Sequence, residues 1–238
     1  MIAFIVPAHN EATLLPRTLA ALHAAAPSAG EPYEIVVVDD ASTDATAAVA
    51  SDCGARVVSV SHRQISATRN AGARASRGDS LFFVDADTLV TGSVLIAALR
   101  ALRQGAVAGG APFYFEGRLP LWARVAEPLA HGYQRFAKLA AGCFFFCRRD
   151  AFEKAGGFDT SLFAAEEIAL SNQLKRLGSL VVLREGVRTS GRKLRAHGGR
   201  EHLQIAAGYF LRGRKFIQSR HGLGLWYDKR RPDPEQAA

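Results

Sequence analysis

Cysteine, methionine and tryptophan are scarce in this chain, which has three, one and two of them in 238 residues. Three thiols, Cys53, Cys143 and Cys147, are too few and of the wrong parity for a disulfide framework. Cys143 and Cys147 bracket "FFF" and are expected in a buried strand as small hydrophobes, not as metal ligands. Long apolar runs are missing too, and none approaches the roughly 18 residues of a membrane-spanning helix. The start "MIAFIVPAHNE" lacks the basic flank and small-residue cleavage site of a signal peptide. The expected location is therefore the cytoplasm, free or peripheral at the inner face of the membrane.

What is present is an ordinary globular composition, 48% hydrophobic and 22% charged, with mean hydropathy +0.02. One domain with one sizeable core is expected at this length. The net charge of +8 is not spread evenly. Residues 1–183 hold 17 Lys/Arg and 17 Asp/Glu, whereas residues 184–238 hold 13 and 5. Such asymmetry fits an anionic partner, either phosphates of a ligand or a lipid surface, or else a solvated basic helix. It carries no nucleic-acid-binding motif and no aromatic platform, so a nucleic-acid partner is not expected.

Short apolar runs alternate with helical patterns along the first hundred residues, the signature of βα units and a mostly parallel sheet. The runs are residues 2–8, 33–40, 55–60 and 80–87. Residues 106–117, 141–149 and "SLVVLRE" read as further strands, with a helix around Trp122 and Tyr133 and another at "AAEEIALSNQLKRLG". A basic segment from about 199 to 220 reads as helical, with Leu203, Ala207, Phe210 and Leu211 on its packing side. Parallel α/β sheets bind ligands at the carboxyl ends of their strands. That rule gathers Pro7–Glu11, Asp39 with Asp40, and Asp85 with Asp87 on one rim.

Asp85 and Asp87 end the run "SLFFVDAD" one residue apart. If strand geometry continues through Ala86, both carboxylates point the same way and repel unless a cation lies between them. Mg²⁺ characteristically takes one or two carboxylates plus substrate phosphates, so a metal-bound diphosphate is the economical reading. Taken alone, Asp-x-Asp is equally a turn or capping pair.

Four ordered segments, "VPAHNEA", "VVVDDASTDAT", "RQISATRNAGARASRGDSLFFVDADT" and "GGFDTSLFAAEEIALSNQLKRLG", together resemble family 2 glycosyltransferases of GT-A fold over residues 2–184. "TSGRKLRAHG" and "GLGLWYDKR" are similar to a small bacterial branch without membrane helices. The resemblance implies a Rossmann-like α/β fold with a mixed, mostly parallel sheet flanked by helices. Residues 1–105 would be the nucleotide half and 106–198 the acceptor half, followed by a basic helical extension, 199–230, and a disordered tail, 231–238. It implies a nucleotide-diphosphate sugar, UDP-linked by preference, as donor. Pro7, Ala8, Glu11, Asp40, Arg69 and Asp85 would border the nucleotide. Mn²⁺ or Mg²⁺ would be held by Asp87 with Asp85 and His197, with His202 the next candidate. The base that takes the acceptor's proton would come from Glu166-Glu167, where the family usually has Glu-Asp, and Glu167 takes the place of the Asp.

The Gln-x-x-Arg-Trp pattern of processive synthases is absent, so transfer of a single sugar is expected, to a hydroxyl or a lipid-linked acceptor; inversion is what the family resemblance implies. The basic extension would form a lid over the donor, touch anionic lipid, or pair two copies into a homodimer. Two other readings stand beside this one. A degenerate chain would bind nucleotide or membrane without catalysis. A sugar nucleotidyltransferase would need a glycine-rich loop and a lysine, which "VPAHNEATLLPRT" lacks.

Overall fold

Apolar residues fill the early strands almost without interruption, as strands buried on both faces require. The computed structural model describes residues 1–227, 231 and 233–235, the side chain of Phe210 excepted. The first half runs β1 (Ile2–Ala8), α1 (Leu15–Ala25), β2 (Tyr33–Asp40), α2 (Thr46–Asp52), β3 (Arg56–Val60), α3 (Ile65–Ala75), β4 (Ser80–Val84), β5 (Thr88–Leu89) and α4 (Gly92–Arg103). The second half is β6 (Ala108–Gly110), β7 (Phe113–Glu116), α5 (Leu121–Ala137), β8 (Phe144–Arg148), α6 (Arg149–Lys154), α7 (Glu166–Leu174), β9 (Leu180–Val182) and β10 (Val187–Ser190). Four helices follow: α8 (Arg192–Ala196), α9 (Gly199–Arg212), α10 (Arg214–Ile217) and α11 (Gly224–Tyr227).

The main sheet has the order β3-β2-β1-β4-β8-β6-β9. Only β8 runs antiparallel to its neighbours, β4 and β6. A small second sheet, β5-β10-β7, stands beside the strand ends. This is the expected mixed, mostly parallel α/β sheet flanked by helices in one domain.

The period of two divides each strand between two cores. Phe4, Val6, Phe82, Val84, Phe144 and Phe146 pack with Leu15, Leu19, Leu95 and Leu99 of α1 and α4. Ile5, Val38, Leu81, Phe83 and Phe145 pack on the other face with Ala71 of α3, Phe152 of α6, and Leu170 and Leu174 of α7. Each large side chain so buried contributes roughly 1.5–3 kcal/mol. A Cβ at Gly72 would strike the Ile5 and Val38 side chains, so α3 lies close on the sheet and carries Arg69 toward the strand ends.

Two segments depart from expectation. The strand over 80–87 stops at Val84, because the Thr88 N–H donates to the Asp85 carbonyl at 3.0 Å and closes a turn. Thr18 of α1 holds that turn from below through the Ala86 carbonyl (2.9 Å). Residues 106–117 are two strands in different sheets, β6 and β7. At the C-terminus, Leu162, Phe216, Ile217 and Leu223 form a small third core that anchors α10 and the segment before α11. Asp233 and Glu235 of the expected tail pair with Arg195 at 2.6 and 3.2 Å. Leu203 and Leu211, expected to pack, are exposed by 71 and 86%, and Ala207 is exposed as well, so α9 turns this side to solvent. Residues 228–230, 232 and 236–238 and the Phe210 side chain lie outside the described residues.

Candidate active site

The loops leaving β1, β2 and β4 enclose a pocket of about 360 Å³ at the carboxyl edge of the sheet. Pro7, Ala8, Glu11, Asp40, Asp85 and Asp87 line it, with Thr68 of α3 and Lys193 of α8. Trp226 and Tyr227 of α11 form a further wall. Sequence reasoning gave those two aromatics no role. They have no local chemical signature, and the third core, with Leu223 in it and Tyr227 against it, brings them to the rim.

The two aspartates of the turn each have their own guanidinium. Asp85 accepts from Arg69 at 2.9 Å, while Asp87 pairs with Arg192 at 3.1 Å and is also reached by the Thr189 hydroxyl (3.4 Å). The same Arg192 nitrogen binds the buried Glu11 carboxylate. Asp85 and Asp87 therefore line one pocket from a turn, not from a continuing strand, each balanced by a different guanidinium. Burial pushes Asp87 up from the usual carboxylate range, against the pull of Arg192 and Lys193.

Arg69 was expected against the nucleotide, but it is 2% exposed and absent from the pocket wall. It donates to Glu166 (2.8 Å), Asp85 (2.9 Å) and the Gly142 carbonyl (2.6 Å), and lies 5.3 Å from the Phe158 ring centroid. It ties three loops together from inside. Asp40, expected to bind the base, also points inward. Its oxygens accept from the N–H groups of His62, Arg63 and Gln64 (2.7, 2.7 and 3.1 Å) and from the Thr68 hydroxyl (2.8 Å). Those four bonds use the lone pairs of a carboxylate. Burial works against the charge of Asp40, yet the hydrogen bonds from Arg63 and its neighbours win and hold it below the usual range. Asp39, by contrast, is buried beside Ala8 of β1 with Oδ1 lacking a hydrogen-bond partner among the described residues.

Glu166 and Glu167 open α7 and part in the same way. Glu166 is 4% exposed and locked on Arg69. Glu167 is half-buried, its carboxyl beside Gly142, and burial together with the Glu166 charge pushes it up to about 8. Ala165, immediately before them, has φ +58°. Asn10, Ala41 and Arg63, at the rim loops, share that left-handed conformation. Such backbone costs on the order of 1–3 kcal/mol per residue and concentrates at functional sites.

His197 does not reach Asp85 and Asp87. It caps α8 and pairs with Glu201 at 2.8 Å, while His202 meets the Gly198 carbonyl and lies tilted against the Trp122 ring, 4.6 Å between centroids. Among the described residues no three His, Cys, Asp or Glu side chains gather into a metal-binding group. The three cysteines are free; Cys147 is wholly buried in β8 as expected of a core thiol, whereas Cys143 sits just before the strand and is partly exposed.

Known proteins share this architecture. Undecaprenyl-phosphate 4-deoxy-4-formamido-L-arabinose transferases match at 38% identity over 95 residues in Pseudomonas paraeruginosa and 34% over 93 in Shewanella sediminis. These stretches cover 37% and 36% of this chain and 28% of each relative. Three solved structures share the fold. The mannosyltransferase PcManGT from Pyrobaculum calidifontis, in complex with GDP-Man and Mn2+, has TM-score 0.66 at 19% identity, over 99% of this chain and 67% of that one. S. aureus TarS 1-349 in complex with UDP-GlcNAc gives 0.61 at 15%, over 94% and 70%. Mannosyl-3-phosphoglycerate synthase from Rubrobacter xylanophilus gives 0.62 at 21%, over 89% and 72%. Together with the matching model of Glycosyl transferase family 2, which covers residues 3–156 and so well over half the chain, the fold and its rim of carboxylates make this protein a member of that family.

Proposed function

We propose that the protein transfers a single sugar from a nucleotide-diphosphate sugar to an acceptor hydroxyl with inversion. The observation that carries this reading is the pairing of a rim pocket, walled by Asp85, Asp87, Lys193 and Trp226, with a separate half-buried carboxyl at Glu167. Pro7, Ala8 and Glu11 border the nucleotide, and Trp226 offers its base a face to stack on. Asp40 and Arg69 shape the walls as positioning residues. Glu166 is spent on Arg69, which leaves Glu167 as the base. It takes the acceptor proton as the acceptor oxygen bonds to the anomeric carbon and the bond to the diphosphate breaks. Raised pKa values of this kind suit a base working near neutrality.

Asp85 and Asp87 offer hard oxygen donors that fit Mn²⁺ or Mg²⁺ completed by diphosphate oxygens, without a third protein ligand. Such an ion, when bound, supplies positive charge to the leaving diphosphate. Arg192 and Lys193 supply charge on the same side, and Arg192 must give up Asp87 when an ion takes it.

The identified relatives favour a second reading, in which the acceptor is a lipid phosphate, already deprotonated and in no need of a base. Calorimetric titration with UDP and GDP, with Mn²⁺ and then chelator, beside Asp87→Ala, tests the donor site. Metal-dependent binding lost in the variant is expected; no binding under any condition leaves a nucleotide-free, degenerate member. Glu167→Gln separates the acceptors, abolishing transfer to a hydroxyl and sparing transfer to a phosphate.

A further inference from the structure

Helix α5 is amphipathic in the reverse of the usual sense. Its inward side is polar: the Glu127 carboxylate accepts from the Phe115 N–H (3.0 Å), His131 Nε2 meets the Phe113 carbonyl (2.6 Å), and Gln134 donates to the Ala111 carbonyl (3.0 Å). Its outward side carries Leu121, Val125, Leu129, Tyr133 and Phe136, exposed by 77, 68, 70, 63 and 90%. Steps of four, four, four and three residues keep these on one stripe. A contiguous apolar patch of this kind on a globular domain is a contact surface.

Charge decides what it contacts. The one acid of α5, Glu127, is turned onto β7, while Arg124 and Arg135 of the helix and Arg118 and Lys138 beyond its ends are exposed. A second copy seated on this face by a two-fold axis would set these cations near their own counterparts. An anionic lipid surface attracts them and takes the apolar stripe at once. At 17 residues, and with no described helix long and apolar enough to cross a membrane, α5 lies on a bilayer and does not span it.

We propose that α5 docks this protein on an anionic bilayer, with the stripe from Leu121 to Phe136 at the boundary of headgroups and acyl chains. The docking stands on the helix alone. Its consequence for catalysis rests on the sugar-transfer reading: the chain runs from Lys138 to Gly142, whose carbonyl binds Arg69 and whose Cα lies beside the Glu167 carboxyl. A docked α5 would hold the Glu167 side of the site close to the lipid surface, where a lipid-borne acceptor could reach it.

The full chain, sedimented with phosphatidylcholine vesicles with and without phosphatidylglycerol, tests this independently of activity. Binding to the phosphatidylglycerol vesicles is expected, weakened about tenfold or more by high salt. It should be lost in Leu129→Glu with Phe136→Glu and kept in Ile96→Glu, an exposed apolar site on α4. Unchanged thermal unfolding of the double variant excludes misfolding as the cause. Absence of sedimentation with either vesicle, or equal sedimentation by the double variant, overturns the docking. So does a wild-type dimer that the double variant makes monomeric without change in vesicle binding, which would assign the stripe to a second copy.

Discussion

Helices α4 and α5 are both amphipathic, yet they face opposite ways. α4 buries Val94, Leu95, Ala98, Leu99 and Leu102 against the sheet and leaves Arg100 and Arg103 in water. α5 is fastened to β7 and the residues before it by polar side chains on backbone groups, and leaves Leu121, Val125, Leu129, Tyr133 and Phe136 in water. Burial of apolar area holds the first helix, and directed hydrogen bonds hold the second. A helical period therefore establishes that a helix has two faces without saying which one the fold buries.

The sharpest way to break this comparison is a matched pair of charges. Leu95→Asp places an unpaired carboxylate in the larger core and should cost about 4 kcal/mol or more, enough to prevent folding, as read by circular dichroism. Leu129→Asp, the counterpart on α5, should change the unfolding free energy by no more than about 0.5 kcal/mol in a urea titration. Equal losses in the two variants would mean that the α5 stripe is covered in solution.

Arg69→Met tests whether polar ties can rival the core. It leaves Glu166 and Asp85 without their buried partner and should cost about 3–5 kcal/mol, nearly as much as the core substitution. Smaller is Gln134→Ala, which removes one polar anchor of α5 and should cost about 1–2 kcal/mol in the same titration. An effect near zero would place the anchoring of α5 on Glu127 and His131.

The pH dependence sharpens the contrast within the site. Glu167 is raised from its ordinary value to about 8, so the folded state holds a proton that the unfolded state releases above about 4.5. Stability should therefore fall as pH rises between those values, and Glu167→Gln should flatten the slope of melting temperature against pH. Transfer to a hydroxyl should rise through the same region as the base ionises. Asp40 has the opposite sign: lowered in the fold, it contributes stability above the ordinary Asp range that is lost in more acid solution. Asp40→Asn should weaken the acid limb and leave the limb near pH 8 in place.

Much of the architecture was legible in the chain. Nearly unbroken apolar runs marked β1, β2 and β4, and "DD" and "DAD" marked their carboxyl ends. The buried thiol of Cys147 followed from its place beside "FFF". Less of the site was legible, because each role depends on a partner far away in the chain. Arg69 matches a nucleotide-binding motif, yet its guanidinium is consumed by Asp85, Glu166 and Gly142. His197 follows the last core strand as a metal ligand would, but Glu201 one turn later takes its ring nitrogen.

The sequence by itself determined the class of fold, its strands and the acidic rim, because hydrophobic period and strand ends are local properties of a chain. Only the tertiary structure decided the rest. It put Asp85 and Asp87 on a turn with different guanidinium partners, set Arg192 on Asp87, placed Trp226 in the pocket wall and turned the apolar face of α5 outward. These outcomes depend on which distant groups compete for the same guanidinium, carboxylate or surface, and that competition exists only once the chain has folded.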